Sequence, residues 1–262
     1  MKYVFGVDIG GTTVKIGLFD VEGNVLDKWE IPTRTENDGE EILPDVADSI
    51  REKMKQMDKD AIAGVGVGAP GPIDAGGVVH RAVNLGWKTF NVKETLEALI
   101  NLPVRAGNDA NVAALGEMWM GGGKGYKDLV VVTLGTGVGG GIIVDGRMIS
   151  GSTGAAGEIG HIHVDDTETD VCNCGNKGCL EQFASATGIT RLANKKLAST
   201  DMDSVLRGGE VSAKTVFDAV KARDPLAMEV AEQFGKYLGD ALAAVAGVVN
   251  PEAFVIGGGV SK

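Results

Sequence analysis

The chain has 262 residues, 44% hydrophobic and 23% charged, a globular balance that rules out a wholly disordered or fibrous polypeptide. At ~150 residues per domain this is one large or two ordinary domains. Twenty-five basic against 36 acidic residues give a net charge of −11, which repels phosphate backbones and anionic bilayers and argues against nucleic-acid or membrane partners. Glycine is the anomaly: 40 residues are about twice the usual ~7% share. With 7 prolines they still fall below the ~25–30% of low-complexity sequence, so they require positional explanations.

The opening apolar run is too short for the ~7–15-residue core of a signal peptide. The longest one, residues 241–249, falls short of the ~18 residues that span a bilayer. A cytoplasmic location is expected.

Residues 3–8 and 14–20 read as antiparallel strands joined by a tight turn at 9–13, with a third strand at 25–31. Ile42, Val46, Ile50 and Met54 share one face of a helix predicted over 39–57. Residues 62–68 and 104–107 read as buried strands, with a helix at 92–100 between them and another starting at Asp109. Gly121-Gly122-Gly123-Lys124-Gly125 is a hinge or a plain surface loop. The opening pattern then recurs: strand 129–134, the turn Gly135-Thr136-Gly137, and strand 138–144. The repeat predicts two related α/β domains, 1–120 and 121–262. The second carries an insertion over about 150–222, a helix over 224–249 with a small-residue packing stripe at Gly235, Gly239 and Ala243, and strand 254–256. A chain that stops one turn after that strand is expected to be truncated.

Three glycine turns, Gly10-Gly11, Gly135-Gly137 and Gly257-Gly259, each follow an apolar strand. Without a Cβ the backbone can approach a ligand and aim successive N–H groups at an anion, and Thr12, Thr13 and Thr136 add hydroxyls. No Walker motif is present, so a nucleotide would be held in another way. Asp8 is either a turn-forming Asx residue or a carboxylate holding Mg²⁺ through water beside a triphosphate. Lys15 either faces solvent or approaches phosphate. Asp109 is either a helix N-cap or a base that takes the proton of a substrate hydroxyl. Cys172-x-Cys174-x₄-Cys179 supplies three thiolates, and His161 or His163 can complete a Cys₃His zinc site, with free thiols as the alternative. Such a structural metal would fix Glu158 and Glu181 on either side.

Taken together, Asp8-Ile9-Gly10-Gly11-Thr12, Gly68-Ala69-Pro70-Gly71-Pro72, Asn84-Leu85-Gly86-Trp87, Gly107-Asn108-Asp109-Ala110-Asn111, Leu134-Gly135-Thr136-Gly137, Glu158-Ile159-Gly160-His161, Cys172 to Glu181 and Val255-Ile256-Gly257-Gly258-Gly259 resemble the ROK family of repressors, open reading frames and sugar kinases. The resemblance implies two ribonuclease-H-like, actin-like α/β domains around a central cleft, with a zinc-binding insertion. It implies ATP-dependent phosphorylation of glucose at its 6-hydroxyl, with Mg²⁺ and structural Zn²⁺. By the same resemblance Asp109 is the general base, and Asn108, Glu158, His161 and Glu181, with Gly71 and Asn84, hold the sugar. The turns from Gly10 to Thr13 and Gly135 to Gly137 hold phosphates, and Gly257 and Gly258 border the adenosine. His161, Cys172, Cys174 and Cys179 are the metal ligands, and a homodimer or higher homo-oligomer is expected. Another hexose (N-acetylmannosamine, N-acetylglucosamine or fructose) is the alternative substrate. A sugar-responsive repressor lacking its DNA-binding domain is a further alternative, disfavoured by the seven residues before Asp8 and the net charge of −11.

Overall fold

In the computed structural model, which describes residues 2–261, the first sheet follows from a two-residue burial period. Strand β1 (Tyr3–Ile9) buries Phe5, Val7 and Ile9 and leaves Asp8 exposed. It pairs antiparallel with β2 (Thr13–Asp20), which pairs with β3 (Val25–Pro32). Strand β4 (Ile62–Ala69) lies parallel to β1 and is apolar along most of its length, as a strand buried on both faces must be. Strand β5 (Val104–Asn108) lies parallel to β4, completing the order β3-β2-β1-β4-β5.

Helices α1 (Ile42–Met54), α2 (Val92–Ile100) and α3 (Asp109–Met120) accompany this sheet. Helix α1 is shorter than predicted. Gly39 has φ +67°, and a Cβ there would collide with the Leu85 carbonyl, whose segment also sends the Trp87 Nε1–H to Gly39 O at 3.0 Å. This contact keeps Gly39 outside α1, which spans the apolar periodicity from Ile42 to Met54 rather than the predicted 39–57.

The second sheet repeats the plan. Strands β6 (Leu129–Leu134) and β7 (Val138–Val144) are antiparallel, β8 (Arg147–Met148) follows, and β9 (Ala253–Gly257) lies parallel to β6, giving the order β8-β7-β6-β9. Both glycine turns are closed by a backbone bond of 3.0 Å, but the second is a residue tighter: Gly10 N–H donates to Thr13 O, and Gly135 N–H to Gly137 O.

Beside the one-turn helix Glu181–Ala184, the insertion forms the unpredicted helices α4 (Ala186–Ser199) and α5 (Ala213–Lys221), which pack Ile189, Leu192 and Val216 against Leu226 and Val230 of the long helix α6 (Pro225–Val249). Asp224 caps α6 by accepting the Ala227 N–H at 2.9 Å, and Pro225 occupies the first position, where no N–H is needed. The packing stripe expected on α6 is not used. A Cβ at Gly235 or Gly239 would meet nothing within 4 Å, and Ala243 is exposed; the buried face is Leu238, Ala241 and Val245 instead.

The chain forms two compact units whose division falls at Gly121/Gly122, with the segment Met148–Ala156 belonging to the first. No helix among the described residues is long and apolar enough to cross a membrane.

Candidate active site

In the first unit, Asp8 is exposed near the end of β1, directly across from Lys15 on β2 and Gly68 on β4. Gly68 is where α3 approaches the sheet, for a Cβ built there would lie 3.7 Å from the Asp109 Cα. The turn after β1 is braced by Thr33, which donates its hydroxyl to Gly10 O at 2.7 Å and its N–H to Thr12 O at 3.0 Å. Gly11, Thr12 and Lys15 are exposed and Thr13 is half-buried. The Asn84 carbonyl is 3.8 Å from where a Gly11 Cβ would stand, so the segment around Asn84 borders this turn.

The cap of α3 falls to Asn108 rather than Asp109. Asn108 Oδ1 accepts the Asn111 N–H at 3.2 Å while its Nδ2 donates to Gly71 O at 3.1 Å. Gly71 has φ +88°, and a Cβ would collide with the Arg81 carbonyl, so only glycine presents its carbonyl here without strain. Asp109 is the first helical residue, accepting the Ala110 N–H at 2.7 Å. Its carboxylate reaches solvent, yet the protein packed behind it desolvates it. That desolvation, reinforced by the nearby Asp8 charge and opposed by the Ala110 N–H, holds its pKa above the ordinary carboxylate range.

In the second unit, the turn from Gly135 to Gly137 adjoins the turn from Gly257 to Gly259, because Gly258, at φ +99°, abuts the Leu134 backbone closely enough to exclude a side chain. Glu181 reaches the same turn and accepts the Val138 N–H at 3.0 Å. Glu158 opens a short helical turn, Ile159–His161, with its carbonyl accepting the His161 N–H at 3.1 Å.

His161 closes a four-residue cluster. Its ring nitrogen and the sulfurs of Cys172, Cys174 and Cys179 all lie within 4.8 Å of one another. Cys174 Sγ to Cys179 Sγ is 3.6 Å and Cys172 Sγ to His161 Nδ1 is 3.8 Å. A tetrahedron with Zn–S of about 2.3 Å and Zn–N of about 2.0 Å has S···S edges of about 3.8 Å and S···N edges of about 3.5 Å, so the donor set has close to the spacing of a zinc site. The same 3.6 Å is far beyond the ~2.05 Å of a disulfide. Burial and the neighbouring Cys174 and Cys172 sulfurs push the Cys179 thiol up to about 12, the behaviour of crowded sulfurs that a cation would relieve. His163, the other candidate, lies outside the cluster. Its ring nitrogens meet Asp166 Oδ1 at 2.8 Å and Lys177 O at 2.9 Å.

Residues that sequence reasoning passed over hold this region together. Arg191 on α4 pairs with Glu168 at 2.6 Å and Asp170 at 2.9 Å, donates to Gln182 O at 3.0 Å, and stacks over Phe183. Gln182 Oε1 in turn accepts the Cys179 N–H at 3.0 Å. Alternating charges spread over 168–195 gave no local signal of this latch.

Comparison with known proteins fits these observations. The ROK family pattern matches residues 4–262. A glucokinase of Halalkalibacterium halodurans is 45% identical over 268 aligned residues, covering 100% of this chain and 81% of its own. A glucokinase of Thermotoga maritima is 36% identical, with 99% and 82% covered. Among solved structures, a ROK family glucokinase from Streptomyces griseus in complex with glucose and AMPPNP superposes with a TM-score of 0.78 at 34% identity, covering 99% of this chain and 84% of that one.

Proposed function

The chain belongs to the ROK family, and on that premise we propose that it is a hexose kinase, transferring the γ-phosphoryl group of ATP to the 6-hydroxyl of glucose. Similarity to glucokinases along essentially all of this chain, and 81–84% of theirs, supports the reaction. The observation that carries it to a mechanism is at the start of α3, where Asn108 performs the capping and so leaves Asp109 with an accessible carboxylate of raised proton affinity.

Phosphoryl transfer through a loose transition state asks chiefly for positioning and charge stabilisation. Asp109 accepts the proton of the 6-hydroxyl as that oxygen bonds to phosphorus and ADP departs. Its raised pKa brings it closer to working pH, where a carboxylate is a better proton acceptor. Asn108, Glu158, His161 and Glu181, with Gly71 and Asn84, hold the remaining hydroxyls. The turns Gly10 to Thr13 and Gly135 to Gly137 offer N–H and hydroxyl donors to the phosphates, Lys15 offers a charge, and Gly257 and Gly258 border the adenosine.

The Asp8 carboxylate has no hydrogen-bond or ion-pair partner among the described residues, which fits a water-bridged Mg²⁺ held beside the triphosphate. Mg²⁺, when bound, spreads the phosphate charge. His161, Cys172, Cys174 and Cys179 fit Zn²⁺, and four protein ligands close the coordination, so that site is structural. A metal there would be held by one ring nitrogen of His161, and the other would be available to a sugar hydroxyl.

Asp109→Asn tests the reading. The amide keeps the shape, so glucose affinity by calorimetry stays near that of the parent while turnover falls by about 10²–10⁴-fold, the worth of a general base. Turnover at the parent rate removes Asp109 from the mechanism.

A further inference from the structure

The second glycine turn is held by a segment some 43 to 51 residues further along the chain. Ala186 N–H donates to Gly135 O at 2.8 Å, the Thr187 hydroxyl donates to Thr136 O at 3.0 Å, and Val138 N–H donates to Glu181 Oε2 at 3.0 Å. The fit is close, since a Cβ on Gly137 would collide with the Glu181 carboxylate. The holding segment is itself rigid. Ser185, fully buried, accepts the Gly188 N–H at 2.9 Å and donates to Glu181 O at 2.7 Å. Gly188 sits where a Cβ would lie 2.8 Å from the carbonyl oxygens of Glu181 and Gln182.

In a planar trans peptide, a carbonyl and the N–H that follows it point in opposite directions. Bonding the Gly135 and Thr136 carbonyls toward the start of α4 therefore turns the N–H groups of Thr136 and Gly137 the other way, as a pair of parallel donors. We propose that Thr187 and Glu181 are positioning residues for the nucleotide: they aim these donors at its phosphates. The proposal rests on reading this turn as phosphate-binding. Glu181 then has two duties, one oxygen on the turn and the other available for the sugar hydroxyl assigned to it above, so the sugar and the nucleotide are gripped through one side chain.

Thr187 is exposed, and Thr187→Val removes the hydroxyl from Thr136 O and from the buried Ser185 Oγ, 2.9 Å away, which keeps its bonds to Glu181 O and the Gly188 N–H. Its affinity for a non-hydrolysable ATP analogue, measured without sugar, falls about 3- to 10-fold, the effect of one neutral hydrogen bond. KM for ATP rises with kcat little changed, glucose affinity stays put, and Thr187→Ser restores the parent values. Glu181→Ala weakens both ligands. Glu181→Gln keeps an oxygen for the Val138 N–H and weakens only glucose. Parent-like nucleotide affinity in both Thr187→Val and Glu181→Ala overturns the inference. Failure of the unaltered protein to bind the nucleotide analogue overturns instead the kinase reading beneath it.

Discussion

Asn108 is 8% exposed and makes two hydrogen bonds that no other residue replaces, one capping α3 and one holding the Gly71 carbonyl. Asn108→Ala loses a cap worth about 1 kcal/mol and a part-buried hydrogen bond worth about 1 kcal/mol. Together these cost roughly 2 kcal/mol, a fall in melting temperature of about 4–8 °C for a chain of this size. The effect on rate is larger than the effect on stability. Asp109 follows Asn108 directly, and misplacing a catalytic group by ~1 Å costs on the order of 10²-fold, so kcat/KM for glucose falls by at least that factor. Asn108→Ser separates the contributions, because a serine hydroxyl caps a helix yet cannot also span to Gly71, and about half of the stability loss returns. Calorimetric melting and a coupled ADP-release assay read both. Parent-like melting in Asn108→Ala would refute the structural argument.

The raised pKa of Asp109 sets the sign of a pH effect. A base must be ionised, so the acid limb of kcat/KM lies above the ordinary carboxylate range. The folded protein binds that proton more tightly than the unfolded chain does, so at neutral pH the charge opposes folding, and Asp109→Asn melts no lower than the parent. Glu168 has the opposite sign. Its side chain is 4% exposed, and, against the desolvation that raises it, the Arg191 guanidinium holds its pKa at about 2 rather than 4.5. Up to roughly 3 kcal/mol of stability is therefore present at neutral pH and lost as pH falls from about 4.5 toward about 2. Urea unfolding of Glu168→Gln shows a deficit at pH 7 that narrows near pH ~3.5; a constant deficit contradicts the ion pair's role. For the cysteine cluster, elemental analysis gives about one zinc per chain, and Cys174→Ser loses it together with thermal stability. Metal-free protein purified without chelator overturns the assignment.

Much of the architecture was legible because it is local. The alternation in β1 and the apolar periodicity of α1 fix those elements from neighbouring residues alone. The repeated strand, glycine turn, strand unit emerged for the same reason. Errors occurred where distant contacts decide. Gly39 leaves α1 because of Leu85 and Trp87, and Gly235 and Gly239 mimic a packing stripe although Leu238, Ala241 and Val245 face inward, one helical position away. The helices of the insertion carried signals, Ser185 and Ser212 as caps ahead of periodic apolar residues, which the dense cysteine motif overshadowed. The cysteine cluster itself was readable from spacing. Spacing left His161 and His163 both open and the family resemblance named His161; the chain path from the Ile159–His161 turn brings that ring to the sulfurs. The bonds that tie Glu181 and Thr187 to the turn from Gly135 to Val138 join residues too far apart in sequence for any local pattern.

The most direct test of the account is ADP release measured with ATP and Mg²⁺ across glucose, mannose, fructose, N-acetylglucosamine and N-acetylmannosamine. The account predicts the highest kcat/KM for glucose, with glucose 6-phosphate as product. Preferred turnover of an N-acetylated sugar or of fructose would contradict it.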